Sequence, residues 1–267
     1  MNIGIWLKKA ESKLKDSGIE SAYLDSLILL EDAIKLDRST IIAHPETSIP
    51  NQKLEKLNYK LKIRSEHTPL AYIRKTIEFY GYNFIVNPNV LIPRPESEAF
   101  LSLLAQHKPK NNEKLLDIGT GSGALAICAK LYFPDLQVFA SDTSKTALST
   151  ALLNIRYFDV PIDLFLEDLT NDKNMYDYIF ANLPYVPYGF PVSQEVEAEP
   201  ASAIFADDGG LELINKLAPK SYLALKKSGY IFIESLEVQH NAIRRFYTTY
   251  GFKFIKVDGL VQVFRKY

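Results

Sequence analysis

The spacing of apolar positions changes near Thr76, which splits the chain into two regions with different predicted structure. Before it, Ile5, Leu7, Ala10 and Leu14 form an apolar stripe at helical spacing that Gly18 ends. Residues 23–34 are a second, more buried helical stretch. Leu54, Leu57 and Leu61 mark a third, with Pro45 and Pro50 punctuating the connection. This predicts a small helical domain over residues 1–76. No chemistry is visible in it, so packing appendage and substrate-docking module both stand.

Beyond Thr76 the period shortens. Residues 77–79, 84–86 and 90–92 read as short strands broken by Gly81 and Asn87-Pro88, a hairpin linker over 77–93. Pro95 then stands near the first position of a helix. From Lys114, strands at 115–118, 137–140, 163–166, 178–181 and 230–233 alternate with helical patterns, as in a doubly wound α/β sheet. Residues 253–257 and 260–264 flank Asp258-Gly259, a hairpin turn signal. A terminal strand hairpin fits a Rossmann-like methyltransferase sheet over residues 94–267 better than a dinucleotide-binding one.

Composition narrows the class. The 267 residues are 47% hydrophobic and 24% charged, which is ordinary for a globular chain. A net charge of −1 supplies no global field toward nucleic acid or an anionic membrane. The single cysteine, Cys128, lies in the apolar run Ala124-Leu125-Ala126-Ile127-Cys128-Ala129 and reads as a small core residue. The histidines are scattered without metal-ligand spacing, so no metal is expected. No apolar stretch is long enough for a bilayer, and residues 1–9 resemble no targeting signal, so a cytoplasmic protein is expected.

Candidate chemistry begins after the first strand of the alternating region, at Asp117-Ile118-Gly119-Thr120-Gly121-Ser122-Gly123. Alternating glycines let the backbone turn sharply and leave bare main chain for a ligand to lie against. With Ala124 following, the run also satisfies a loose dinucleotide fingerprint, so it does not choose between NAD and S-adenosylmethionine. Asp142, past the second strand, is placed to accept both ribose hydroxyls of an adenosine. Asp168, with Leu169 after it, follows the third strand, where an acid can meet an adenine amino group.

Asn182-Leu183-Pro184-Tyr185 follows the fourth strand, at the carboxyl edge where open α/β sheets bind ligands. It resembles the tetrapeptide of methyltransferases that modify planar nitrogens. The lone pair of such a nitrogen is delocalised, so the group must be oriented. The Asn182 side-chain carbonyl and the Leu183 main-chain carbonyl can each accept one N–H, and Tyr185 offers a flat face.

Over nearly its whole length the sequence resembles the release-factor glutamine-N5 methyltransferase (HemK-type) family. The resemblance is carried by Pro69-Leu70-Ala71-Tyr72-Ile73, Glu78-Phe79-Tyr80-Gly81 and Val90-Leu91-Ile92-Pro93-Arg94-Pro95-Glu96-Ser97-Glu98. The glycine loop, the tetrapeptide, Glu199-Pro200, Asp208-Gly209-Gly210-Leu211, Glu234 and Gln239 continue it. It implies a helical substrate-docking domain, a hairpin linker and a Rossmann-like catalytic domain. The implied cofactor is S-adenosylmethionine and the implied substrate the glutamine of the Gly-Gly-Gln loop of class I release factors. Asp117, Gly119 to Gly123, Asp142, Asp168, Leu169 and Asn182 would hold the cofactor, and Asn182 to Tyr185 the glutamine. Three departures stand out: Leu183 where the family usually has proline, Glu-Ser-Glu for Glu-Thr-Glu, and Arg74-Lys75 where a glycine is usual.

Asn-Leu-Pro-Tyr also occurs in ribosomal-RNA adenine dimethyltransferases. Residues 186–210, however, hold Glu195, Glu197, Glu199, Asp207 and Asp208 and no Lys or Arg, an acidic rim that disfavours phosphate. Direct nucleic-acid binding is therefore not expected. A ribosomal-protein glutamine is the second-ranked substrate, and a catalytically silent binding module is the non-enzymatic alternative.

Overall fold

The computed structural model describes residues 1–173 and 175–267, and the chain divides into two compact units. One comprises Met1–Lys75 together with Ser193–Ala198; the other comprises Thr76–Val192 and Glu199–Tyr267.

The first unit packs helices Ile3–Asp16, Ala22–Ile34, Arg38–Ala43, Asn51–Ser65 and Leu70–Arg74 around one apolar cluster. The first helix buries Ile3, Trp6, Ala10 and Leu14, whereas Ile5 is 50% exposed. The expected stripe holds at Ala10 and Leu14 and partly at Leu7, whereas Ile3 and Trp6 take the place of Ile5. Spacings of three, four and four from Ile3 hold one face, and Trp6 supplies far more apolar area than Ile5. Trp6 Nε1 donates to Asn58 Oδ1 at 2.9 Å, satisfying the one polar atom of that ring. Arg64 is fully buried here, where it donates to Asp25 Oδ2 at 2.6 Å and to Glu195.

The second unit begins with the hairpin β1 (Thr76–Phe79) and β2 (Tyr82–Ile85). Tyr80 and Gly81 both have positive φ, which matches a two-residue turn to the twist of the strands. The third strand expected at 90–92 does not form. Its donors are spent elsewhere: Val90 N–H turns back to the Asn87 carbonyl, and Ile92 N–H donates to Glu199 Oε2 at 2.9 Å.

The main sheet consists of β3 (Lys114–Ile118), β4 (Gln137–Asp142), β5 (Ile162–Leu166), β6 (Tyr176–Ala181), β9 (Leu225–Glu234), β10 (Phe252–Asp258) and β11 (Val261–Lys266). Two-residue strands β7 (Val186–Pro187) and β8 (Phe205–Ala206) pair separately. The order is β10-β11-β9-β6-β3-β4-β5, parallel from β5 through to β9, with β11 antiparallel between β9 and β10. Central strands are apolar on both faces because both are covered. Leu115, Val138, Phe180 and Phe232 pack with helices Ala99–Gln106 and Ala124–Tyr132. Leu116, Ile179, Ile231 and Ile233 pack with helices Glu212–Ala224 and His240–Thr249. Cys128 is buried in the first of these clusters, and burial pushes its thiol up to about 12.

Strands are added on opposite sides of β3: β4 and β5 extend the sheet one way, β6 and β9 the other. Loops leaving the carboxyl ends of β3 and β6 therefore diverge and open a crevice.

Candidate active site

The glycine loop leaves β3 into that crevice. Gly119 and Thr120 N–H groups both donate to the Ser141 carbonyl, at 2.8 and 2.9 Å, so the loop is pinned to the end of β4. Gly119, Gly121 and Gly123 all have positive φ. A Cβ on Gly121 would meet nothing within 4 Å, and one on Gly119 would meet Leu183 Cδ2 at 3.0 Å. The first glycine thus keeps main chain bare beside the tetrapeptide loop, and Gly121 faces open space. Gly123 has a packing role, since its Cβ would press on Ala151 at 3.3 Å.

Asp117 is buried, and Thr120 Oγ1 donates to its Oδ2 at 2.6 Å. Burial raises its carboxyl from 3.8 to about 7, opposed by the Thr120 and Ala126 hydrogen bonds and aided by nearby Asp142. Asp142 accepts Gly121 N–H on Oδ2 at 3.0 Å and Ser144 N–H on Oδ1 at 2.9 Å. Both oxygens are thereby aimed, and each keeps a lone pair for a hydroxyl.

A cavity of about 480 Å³ lies along the carboxyl ends of the strands, within the usual range for a small-molecule site. Gly119, Gly121, Asp142, Asp168, Leu169, Asn182, Leu183 and Pro184 line it. Asp117, Thr120 and Ser122 border an adjoining small cavity that also reaches Asn182. Gly123 and Tyr185 line neither. The bare glycine backbone, the aimed acid and the cavity volume together fit an adenosyl ligand.

Asn182 Nδ2 donates to Ser97 Oγ at 2.9 Å, Ser97 Oγ donates to Glu234 Oε2 at 2.6 Å, and Tyr185 OH donates to Glu234 Oε1 at 2.8 Å. Burial raises the Glu234 carboxyl, and the Ser97, Tyr185 and Asn182 hydrogen bonds hold it down. Burial likewise pushes the Tyr185 phenol up, with Glu234 adding to the shift. The backbone of Tyr185 is held as well: Gln239 Nε2 donates to its carbonyl and to that of Gly209, both at 2.8 Å.

Ser97, Glu234, Gln239 and Gly210 carry no chemical signal of their own in the sequence. They stand 85, 49, 54 and 25 positions from the loop residues they touch, so only the motifs behind the resemblance mark them. The expected acidic rim is thinner than the sequence suggests. Glu199 is buried, bonded to Arg94 and the Ile92 N–H, and Glu195 is paired with Arg64. Glu199 is thereby withdrawn from solvent, whereas Glu195 is neutralised by its partner but stays partly exposed.

Among the described residues no helix is long and apolar enough to cross a membrane. Residues 6–74 match the PrmC N-terminal domain family, and residues 95–217 match the methyltransferase small domain family. A release factor glutamine methyltransferase of Buchnera aphidicola subsp. Baizongia pistaciae is 31% identical, over 94% of this chain and 92% of that one. One of Escherichia coli (strain K12) is 30% identical, over 92% and 90%. A bifunctional methyltransferase of Rickettsia bellii is 30% identical over 92% of this chain, which spans 50% of that longer protein. Among solved structures, a methyltransferase from Pyrococcus furiosus superposes with a TM-score of 0.53 at 18% identity, over 81% of this chain and 99% of that one, which shows the shared fold. With two relatives of 30% identity or more matched over nearly their full lengths, the chain belongs to the release factor glutamine methyltransferase family.

Proposed function

We propose that this chain transfers a methyl group from S-adenosylmethionine to the side-chain amide nitrogen of the glutamine in the Gly-Gly-Gln loop of class I release factors. The observation that carries the reading is the orientation of Asn182. Its NH2 faces Ser97 and Glu234, and among the described residues no donor is paired with Oδ1, which leaves an acceptor on a residue that lines the cavity.

When bound, S-adenosylmethionine supplies an electrophilic methyl on a sulfonium. Gly119, Gly121 and Asp142 would hold the adenosyl part, with Asp168 and Leu169 beside the adenine and Asp117 behind the loop. Asn182 Oδ1 and the Leu183 carbonyl would each accept one N–H of the substrate amide and turn its nitrogen toward the methyl. Positive charge would grow on that nitrogen as it took the methyl group from the sulfonium. Both carbonyl dipoles then bind it more tightly than in the ground state. The excess proton leaves to water afterwards, so no side chain need act as base. Leu183 keeps the required carbonyl in place of proline, and its buried side chain packs over Gly119.

On this reading residues 1–76 dock the substrate protein, 77–93 link, 94–267 catalyse, and the protein works in the cytoplasm beside the translation machinery. The test is incubation with labelled S-adenosylmethionine and release factor in Gly-Gly-Gln and Gly-Gly-Asn forms. Label on the first alone is expected; label on neither would overturn the substrate. Asn182→Ala should abolish transfer with the fold retained, as read by circular dichroism.

A further inference from the structure

Resting on the reading of Asn182 as the acceptor for the substrate amide, we propose that Ser97 and Glu234 are positioning residues. They fix which end of the Asn182 side chain faces the substrate. An asparagine amide is nearly symmetric in shape, yet one end only accepts hydrogen bonds and the other only donates. Nothing in the tetrapeptide itself determines which end points into the cavity. A reversed Asn182 would present N–H donors to the N–H donors of a substrate amide.

The polarity is set from behind. A carboxylate only accepts, whereas a serine hydroxyl can donate or accept. Glu234 is 1% exposed and takes the Ser97 hydroxyl proton at 2.6 Å, so the remaining capacity of Ser97 Oγ is its lone pair. That lone pair meets Asn182 Nδ2 at 2.9 Å. Tyr185 OH, donating to the other Glu234 oxygen at 2.8 Å, blocks the carboxylate from turning away. The donors thus all run one way, from Asn182 to Ser97 and Glu234 and from Ser97 to Glu234, and the Asn182 Oδ1 is left without a donor. Three distant segments meet in this network: the turn Pro95–Glu98, the loop after β6 and the end of β9. Ser97 itself is 3% exposed and borders only the small adjoining cavity, with its hydroxyl committed to Glu234 and Asn182, which makes it a group that acts through Asn182.

The test uses the full chain with 15N-labelled asparagine and three variants, Ser97→Ala, Ser97→Thr and Glu234→Gln. Asn182→Ala assigns the Asn182 amide pair by its disappearance. In the wild type, the proton facing Ser97 should lie downfield and exchange slowly with water. It should move upfield and exchange faster in Ser97→Ala, and stay in place in Ser97→Thr, which keeps the hydroxyl. Glu234→Gln preserves the shape but can offer N–H to Ser97, freeing that hydroxyl to bond Oδ1 and invert the amide. In single-turnover methylation of a Gly-Gly-Gln release factor, Ser97→Ala and Glu234→Gln should lower the rate about 10- to 100-fold. Cofactor affinity by calorimetry should stay within about twofold, and Ser97→Thr should recover most of the rate. An amide pair unmoved by Ser97→Ala, or a wild-type rate in Glu234→Gln, would overturn the proposal. The amide spectrum needs no substrate. A wild-type protein that methylates nothing would therefore sink the function above while the spectrum still decides this one.

Discussion

Gly210→Ala probes how the tetrapeptide loop is held in place, because the contact it would create can be worked out atom by atom. Gly210 has φ +83°, and a Cβ there would lie 2.0 Å from the Tyr185 carbonyl oxygen and 2.5 Å from Gln239 Nε2. Ordinary van der Waals contact needs roughly 3.5 Å, so the Tyr185 peptide must move by about 1 Å or more. That movement breaks the bond from Gln239 to Tyr185, and the displaced Gln239 side chain also strains its bond to Gly209. Alanine in the left-handed region costs about 1–2 kcal/mol. Two weakened hydrogen bonds add about 1 kcal/mol each, for a total of about 3–4 kcal/mol in urea denaturation. Tyr185 is three residues from Asn182, and a misplacement of about 1 Å at a positioning group can cost about 100-fold in rate. Gly209→Ala is the control. Its φ of +63° carries similar backbone strain, but its Cβ would meet nothing within 4 Å. It should lose about 1–2 kcal/mol and keep a single-turnover rate within about threefold of wild type. Equal rates in the two variants would refute the claim that the Gly210 approach positions the loop.

Asp142→Ala should weaken S-adenosylmethionine binding by calorimetry more than it slows turnover at saturating cofactor; the reverse order would move Asp142 out of the cofactor site. Asp117, raised from 3.8 to about 7 by burial, favours folding in its protonated form. Its stabilising contribution is therefore full below about pH 4 and lost as pH rises to about 7, up to about 4 kcal/mol. Denaturation midpoints at pH 5 and 8 should show this slope in the wild type and less of it in Asp117→Asn. Removing the partner of buried Glu199 with Arg94→Met should destabilise by about 3 kcal/mol in urea denaturation; an unchanged midpoint would mean the ion pair contributes little.

Much of the architecture is written locally. The alternation of apolar runs with helical patterns gave strands β3, β4 and β6 nearly in place, because buried parallel strands must be apolar on both faces; β5 was found too although it is a largely exposed edge, and β9 begins at Leu225, five residues before the expected 230. Asp258-Gly259 marked the β10–β11 hairpin because the tight turn needs a residue tolerant of positive φ, and Gly259 takes it. The glycine loop, Asp142 and the tetrapeptide were legible for the same reason: each follows a strand end and must be built from residue types whose chemistry or backbone freedom is uncommon. Local patterning failed where a donor's partner lies far along the chain. Residues 90–92 have strand composition, but Ile92 N–H is claimed by Glu199, 107 positions away. The acidic run 195–199 looked like a charged rim until Arg64 and Arg94 were found against it.

The sequence by itself marked the candidate residues for an adenosyl group and for a substrate amide. Only the tertiary structure decided which way Asn182 points and what keeps it there. Ser97, Glu234, Gln239 and Gly210 surround the loop from three other segments, and hydrogen-bond direction is a property of atoms brought within about 3 Å, which no spacing along a chain encodes.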